Sequence, residues 1–247
     1  MSLLLNETEA NFKAFNDDWR AEMTAVSSEL AKGDAIYLAS YRRIVSLQAW
    51  RSFLETRISS CSLAFLLEAQ NDALTSHVFA NLGSWRSALK ALRGCIDNVL
   101  FCIYYKDHPV ELRLWHEGKH KLSFADHFAY LENHPDRIQA PEVDAVPTLR
   151  AEYATLSMAV HASAKSFRMT KDVKETLLWS DAIELRGMWQ TREQIVLSNI
   201  NLCLLAIYRH ELEAAVSPLL RDAIGLSIPY SKFSAIKTHM KVIIPKP

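Results

Sequence analysis

Residues 84–105 read SWRSALKALRGCIDNVLFCIYY, and this pattern predicts a helix buried at the centre of an all-α domain. Apolar side chains recur three and four residues apart, and Ala88, Cys95 and Cys102 widen the apolar surface. The recurring positions are Trp85, Leu89, Leu92, Ile96, Val99 and Ile103. A helix that is apolar around most of its circumference is buried on most sides. We therefore expect the other helices to surround this one.

A line of charged residues runs along the same predicted helix. Arg86, Lys90, Arg93 and Asp97 follow one another at spacings of four, three and four residues. An ionised side chain on a buried helix is costly unless it has a partner or a function. Two interpretations stay open. One is an ion pair between Arg93 and Asp97, one turn apart, and the other is a functional polar cleft.

Composition narrows the class of protein. Of 247 residues, 49% are hydrophobic and 23% are charged, which is typical of a globular protein. The six glycines are too few for the turn-dense all-β architectures. Because the formal net charge is zero, any binding to nucleic acid or to an acidic membrane must come from a local patch.

The cysteines and the apolar runs indicate a cytoplasmic protein without a membrane partner. All four cysteines lie in apolar helical patterns and none forms a CxxC pair, which favours buried reduced thiols. No basic region precedes the first leucines as it would in a signal peptide. The longest apolar stretch, residues 195–208, is interrupted by polar residues and is too short to span a bilayer. We expect no cofactor, because no glycine-rich phosphate loop occurs.

Apolar periodicity divides the chain into three regions. Residues 1–69 are predicted to form a helical extension packed on the core, residues 70–226 the helical core, and residues 227–247 a basic tail. In the extension, Asn6 and Glu9 resemble a capping box, and a second helix runs from 34 to 69. The first helix is expected to face inward through Phe12, Phe15, Trp19, Met23, Val26 and Leu30. Further helices are predicted over residues 71–82, 109–118, 123–133, 148–164 and 180–215 and from 217, with a loop or a small hairpin over 166–178.

Two segments together resemble a known group of helical proteins. The sequence LRGCIDNVLFCIYYKDHPVE begins at Leu92, and YATLSMAVHAS begins at Tyr153. They are similar to the HEPN-like families of prokaryotic defence and toxin systems, which share an R-x-x-x-[DE] helix and a later Ser-x-x-x-His helix. The likeness covers residues 73–208 and implies a HEPN-like core whose site pairs Arg93 and Asp97 with Ser157 and His161.

The resemblance implies an RNA-cleaving or RNA-binding effector without a metal. In such a site His161 would act as base or acid, Arg93 or Arg86 with Lys90 would bind phosphate, and Asp97 would orient a partner group. Many HEPN ribonucleases carry a short Arg-to-His motif, whereas here the arginine before His161 is Arg150, eleven positions away. A non-catalytic helical scaffold that binds a partner in a defence complex, or a homo-oligomer, is therefore the alternative.

One further motif is a remote alternative. His116-Glu117-Gly118-Lys119-His120 spells HExxH, which on a helix would place two histidines on a zinc ion and a glutamate as general base. Gly118 weakens the helix that this site needs, and Lys119 would put a cation beside the metal. We expect the match to be accidental and predict no metal ligands.

The C-terminal tail is the candidate partner-binding segment. From 228 onward it carries Lys232, Lys237, Lys241 and Lys246 and no acidic residue. Its apolar content is expected to be too small for independent folding, and residues 240–244 are prone to form a strand. We predict that the tail contacts a partner chain or a phosphate backbone rather than the core.

Overall fold

The computed structural model describes residues 3–171, 175–176, 178–214 and 217–246, and it confirms the all-α class. The helices are α1 (Leu3–Leu30), α2 (Asp34–Leu54), α3 (Ser60–Asn81), α4 (Trp85–Asp107), α5 (Pro109–His116), α6 (Phe124–Glu132), α7 (Val146–His161), α8 (Ile183–Ile207), α9 (Arg209–Ala214), α10 (Pro218–Ser227) and α11 (Phe233–Met240). Two short strands, β1 (Thr170–Lys171) and β2 (Glu175–Thr176), pair in antiparallel fashion.

Helix α4 lies at the centre of the core, as its pattern predicts. The six apolar positions that recur along it are each at most 1% exposed. It packs against α3, α6, α7 and α8. The turn that leads into α4 depends on Gly83, which has a φ of +71° and leaves no room for a Cβ between Ser180 and Val26. Since an L side chain rarely adopts that φ, glycine is required where α3 reverses into α4.

The predicted second helix, residues 34–69, is in fact two helices. Helix α2 ends at Leu54, and α3 begins at Ser60 because the Ser59 hydroxyl accepts a hydrogen bond from the Ser62 N–H at 3.1 Å. Helix α3 then continues to Asn81 and packs along α2 and α4. The sequence-based boundary at residue 69 therefore falls inside one helix, and α2 belongs to the same packed body as the core.

Helix α1 departs most from its predicted packing. It begins at Leu3, ahead of the proposed capping box at Asn6, and residues 3–18 are all exposed. Phe12 and Phe15, expected to face inward, are 65% and 53% exposed. Only the C-terminal end approaches the core, where Leu30 is buried. The periodicity is that of an amphipathic helix, but within this chain the described elements leave its first half uncovered.

The C-terminal tail is part of the core, contrary to the prediction that it only makes external contacts. Helix α11 presents Phe233, Ile236 and Met240 inward at helical spacing, and all three are buried. After the helix, Val242 and Ile244 are also buried while Ile243 between them is exposed. The lysines indicate a solvated surface, but the apolar residues between them supply the packing face that the prediction underestimated.

The apolar run in α8 is buried, and the amide of Asn201 that is enclosed with it is hydrogen-bonded. Residues 196–208 are buried throughout, as predicted for a central helix. The Asn201 Oδ1 accepts from Trp50 Nε1 at 2.9 Å, and its Nδ2 donates to Ser46 and Ser227 at 2.8 and 3.0 Å. Such pairing offsets the cost of burying an amide. Among the described helices none combines the length and apolarity needed to cross a membrane.

Candidate functional site

The charged line on α4 faces α7, and its first two members have different surroundings. Lys90 is exposed. Arg86 is half-buried, and its Nε and Nη2 each donate at 3.1 Å to the carbonyl oxygens of Ala159 and Val160. These carbonyls belong to the last turn of α7, where regular i+4 donors are missing and Ala159 otherwise accepts only from the C-cap Ala162 N–H at 3.3 Å. Arg86 therefore caps α7, and its guanidinium is engaged by backbone rather than open to a phosphate.

Arg93 lies between the aromatic rings of two neighbouring helices. Its Nη2 donates to the Tyr153 hydroxyl on α7, and its guanidinium carbon is 4.7 Å from the centre of the Tyr153 ring. The Phe124 ring centre on α6 is 5.4 Å away. The Nη2 atom is 3.9 Å from Asp97 Oδ2, which is at the outer limit of an ion pair. The Arg93 charge is thus held within the bundle by one hydrogen bond, two aromatic rings and a distant carboxylate.

Asp97 is the member of the line with the most altered chemistry. Burial raises its pKa to about 7, because the lowering by the Arg93 charge and by the Tyr153 hydroxyl does not offset desolvation. The Asp97 side chain is 17% exposed, and Oδ1 is buried without a hydrogen-bond partner, as is Arg93 Nε. A carboxyl group that titrates near neutrality can give or take a proton at physiological pH.

A second carboxylate, which the sequence did not single out, lies on α3 beside this group. Asp72 Oδ2 accepts a hydrogen bond from Asn98 Nδ2 at 2.8 Å, and its negative charge adds to the raised pKa of Asp97. Burial also raises the pKa of Asp72 itself. The close approach depends on Gly94, since a Cβ there would lie 2.7 Å from Asp72 Oδ2. Gly94, a glycine inside an otherwise apolar helix, was the sequence signal that could have indicated the close approach of another helix.

Helices α4 and α7 meet at Arg93, but through Tyr153 and not through the predicted Ser157 and His161. Tyr153 takes the place beside Arg93 that the resemblance assigned to Ser157 and His161. The Ser157 hydroxyl donates to the Tyr153 carbonyl oxygen at 2.8 Å, a contact within its own helix. His161 is the last residue of α7 and is exposed, and within the described part of the chain its ring forms no hydrogen bond or ion pair. The structure therefore groups Arg93 and Asp97 with Tyr153 and Asp72.

The HExxH segment lacks the helical geometry of a zinc hydrolase. Helix α5 ends at His116, so Glu117 and Gly118 lie in the turn that follows. His120 lies beyond the turn, where its Nδ1 is 3.4 Å from the Tyr105 hydroxyl. The two histidines consequently do not occupy one helical face. Among the described residues, no three His, Cys, Asp or Glu side chains are grouped closely enough to hold a metal ion.

A hydrogen-bonded group at the end of α4 has a structural explanation. The Tyr130 hydroxyl donates to Asp107 Oδ2 at 2.7 Å, and His134 Nε2 lies 3.2 Å from the same oxygen. The backbone N–H of Asp136 donates to His134 Nδ1 at 3.1 Å, so Nε2 carries the proton that Asp107 accepts. Burial acts to raise the Asp107 pKa, but the Tyr130 hydrogen bond and the Lys106 charge hold it below its usual value. This group joins α6 to α4.

His127 lies next to these residues in apolar surroundings. Both ring nitrogens are buried without a hydrogen-bond partner, and the ring packs edge-on against Phe101 and Tyr104, with centroids 5.0 and 5.1 Å away. Burial lowers its pKa to about 4. The imidazole is therefore neutral near neutrality and behaves as part of the aromatic core.

The predicted partner-binding lysines remain on the surface although their segment packs inward. Lys237 and Lys241 are exposed, while Lys232 Nζ donates to the Glu142 carbonyl oxygen at 2.7 Å.

Comparison of the chain with protein-family models, with curated proteins and with solved structures finds no match. The geometry of the chain itself is therefore the basis for a functional proposal.

Proposed function

We propose that this protein is a helical protein-binding subunit whose docking element is α1, and that it serves in a prokaryotic defence or toxin complex, as its HEPN-like sequence features imply. The observation that carries the proposal is the exposure of residues 3–18, which form one continuous stretch of helix. At 1.5 Å per residue this part of α1 extends about 24 Å. A helix of that length is enough to fill a groove on another chain.

The side chains on α1 favour a protein surface as the ligand. Leu4, Phe12 and Phe15 are exposed and lie near one line of the helix, at spacings of eight and three residues. Burying a leucine or phenylalanine side chain contributes about 1.5–3 kcal/mol relative to leaving it in water. Phe12 and Phe15, three residues apart, are neighbours on the helix surface, and exposed apolar side chains grouped in this way mark interaction sites. Protein binding therefore accounts for a pattern that core packing does not.

The site around Arg93 is consistent with the same function. Arg86 caps α7 and Arg93 is bonded to Tyr153, so the two arginines already have partners inside the bundle. An ion pair and aromatic contacts that hold helices in register support a rigid platform from which α1 extends. Under this proposal the charged residues of α4 are structural, which is the first of the two interpretations that the sequence left open. The scaffold function, given there as the alternative, becomes the main one.

The experiment compares Phe12→Asp/Phe15→Asp with Lys13→Asp in affinity purification from the native cells. Both variants lower the net charge by two, but only the first replaces the exposed phenylalanines. We expect F12D/F15D to melt like the parent and to lose its bound partner chains or its self-association, while K13D retains them. Retention of the same bound chains and the same oligomeric state by F12D/F15D would overturn the proposal.

RNA cleavage is the second candidate, and the Asp97 carboxyl is the observation that favours it. The Asp97 carboxyl has a pKa of about 7 and lies 3.9 Å from the Arg93 guanidinium. Attack by a ribose hydroxyl on a phosphate uses these two groups, a carboxyl that takes the proton and a cation that binds the phosphate. The test is incubation of the purified protein with RNA without a divalent metal. Cleavage that is lost in both Asp97→Asn and His161→Ala would support this candidate. Absence of cleavage by the parent protein, or cleavage by both variants at the parental rate, would exclude the assigned residues.

A further inference from the structure

The two ends of the described chain carry opposite charge. Helix α1 contains six acidic and two basic residues, a formal charge of −4. Residues 228–246 contain four lysines and no acidic residue, a formal charge of +4. The whole chain has a net charge of zero. The zero net charge thus conceals two surfaces that attract each other electrostatically.

The acidic residues of α1 are arranged beside its exposed apolar stripe. Glu7, Asp18 and Glu22 are separated by eleven and four residues, which correspond to about three turns and one turn. They therefore share one line along the helix, next to the line that contains Phe12 and Phe15. A surface that combines apolar anchors with one acidic edge matches a surface with an apolar groove and a basic rim.

The C-terminal surface has these complementary features. Lys237 and Lys241 are exposed on and just after α11, and Ile243 is 59% exposed. A groove of about 300 Å³ opens beside Ile243 and is lined by Pro218, Arg221, Asp222, Ile243 and Pro245. Lys246, 4.5 Å from the Tyr230 ring centre, lies near the chain end. Lys241 precedes Ile243 by two residues and Arg221 lines the groove, so an aromatic side chain entering the groove would bring an acidic helix edge near these cations.

We propose that α1 of one copy docks on the C-terminal surface of a second copy, with Phe12 and Phe15 at the groove beside Ile243 and the acidic edge against Lys237 and Lys241. This inference rests on the proposed function, and it names a second copy of this chain as the partner. Within one chain residues 3–18 are exposed, and so are Lys237 and Lys241, so neither surface covers the other. Pairing of α1 with α1 would bring together two helices of charge −4, which disfavours that arrangement.

Two different surfaces of the chain meet in this contact. It can close as a two-fold dimer, in which each α1 occupies the partner's groove, or head to tail as a ring. Either closure buries the α1 stripe of every copy. Because opposite charges flank the apolar contact, association is expected to weaken as salt rises and shortens the screening length from about 10 Å at 0.1 M to about 3 Å at 1 M.

The experiment is sedimentation velocity of the purified full chain over a range of concentrations, at 50 mM and 500 mM NaCl. We expect a dimer or a larger closed oligomer that dissociates more readily at the higher salt. Asp18→Lys should raise the dissociation constant at least about tenfold. Asp17→Lys is the matched control, since it makes the same charge change one residue away, about 100° round the helix from Asp18 and on the side of α1 opposite Phe12 and Phe15.

A charge exchange then tests the pairing itself. Lys237→Glu/Lys241→Glu should also weaken association, and a mixture of this variant with Glu7→Lys/Asp18→Lys should form heteromers because the reversed surfaces again attract. A monomer at all concentrations, equal effects of D17K and D18K, or no heteromer in the mixture would each overturn the inference. If the pure protein stays monomeric while F12D/F15D still loses its partner in cells, this inference fails and the proposed function stands.

Discussion

Trp19 of α1 stacks on Trp179, with ring centroids 6.0 Å apart and planes inclined by 19°. Beyond this contact, toward the N-terminus, residues 3–18 are exposed, whereas Val26 and Leu30 on the other side pack on the core. The stacked pair therefore marks the point at which α1 leaves the body of the protein. An aromatic pair of this kind contributes about 0.5–1.5 kcal/mol beyond its buried area.

The first prediction concerns the local stability of the projecting half of α1. A helix without tertiary packing opens at little free-energy cost, so the backbone near Lys13 should be cleaved by trypsin much faster than the backbone near Lys90. Both lysines are exposed and helical, and Lys90 is the control because it lies on the central helix. The measurement is the order of fragments by mass spectrometry in dilute protein. Equal cleavage rates at the two lysines would show that α1 is held along its whole length.

The second prediction follows from the burial of the C-terminal segment. Ile236 is fully buried, so Ile236→Ala should lower the free energy of unfolding by about 2–5 kcal/mol. The neighbouring exposed side chain provides the control, since Lys237→Ala should change it by no more than about 0.5 kcal/mol. Urea unfolding measures both. A small loss for I236A would mean that residues 228–246 do not contribute to the core.

The third prediction is a pH dependence of stability caused by Asp97. Its folded pKa of about 7 lies above the ordinary value of 3.8, so between these values the folded state holds a proton that the unfolded state has released. The contribution of Asp97 to stability is therefore fully present near pH 4 and is lost as the pH rises through 7. Asp97→Asn should remove this dependence, with a difference between variant and parent that grows by up to about 3 kcal/mol over that range. A constant difference from pH 4.5 to pH 7.5 would contradict the burial of this carboxyl.

The fourth prediction concerns the buried ion pair that links α2 to α8. Arg43 Nε donates to Glu193 Oε2 at 2.7 Å, both residues are buried, and burial raises the pKa of Glu193 despite the Arg43 charge. Glu193→Ala leaves a buried guanidinium unpaired and should cost about 3–5 kcal/mol. Arg43→Met/Glu193→Leu removes both charges and should cost much less. A cost for E193A equal to or below that of the double variant would show that the pair is not enclosed.

The sequence was sufficient to place α4 because burial on nearly all sides leaves an unmistakable pattern. The apolar positions from Trp85 to Ile103 recur without interruption, and each is buried. Helix α6 begins at a capping box of Ser123 and Asp126 that is readable from the sequence, since capping depends only on neighbouring residues. Local signals of this kind require no knowledge of the partner elements.

Tertiary partners were harder to predict. The periodicity from Phe12 to Leu30 specifies an apolar face, but it does not specify whether that face meets the same chain or another one. The inward face of α11 was not recognised, because the lysines within and beside this helix suggested a solvated segment. At the candidate site, the approach of Asp72 to α4 depends on the packing of α3, which residue spacing within α4 does not encode. Tyr153 carries no sequence signal of a site residue, because its ring is apolar and its contacts with Arg93 form only when α4 and α7 pack together.

Site-specific photocrosslinking in the native cells tests the role of α1 most directly. A photoreactive phenylalanine analogue is placed at Phe12 in one strain and at Asp17, on the opposite face of the helix, in another. The proposed function predicts a crosslink from position 12 to one defined chain, either a second copy or a different protein, and little or none from position 17. No crosslinked product from position 12, or the same products from both positions, would contradict the assignment of α1 as a docking element.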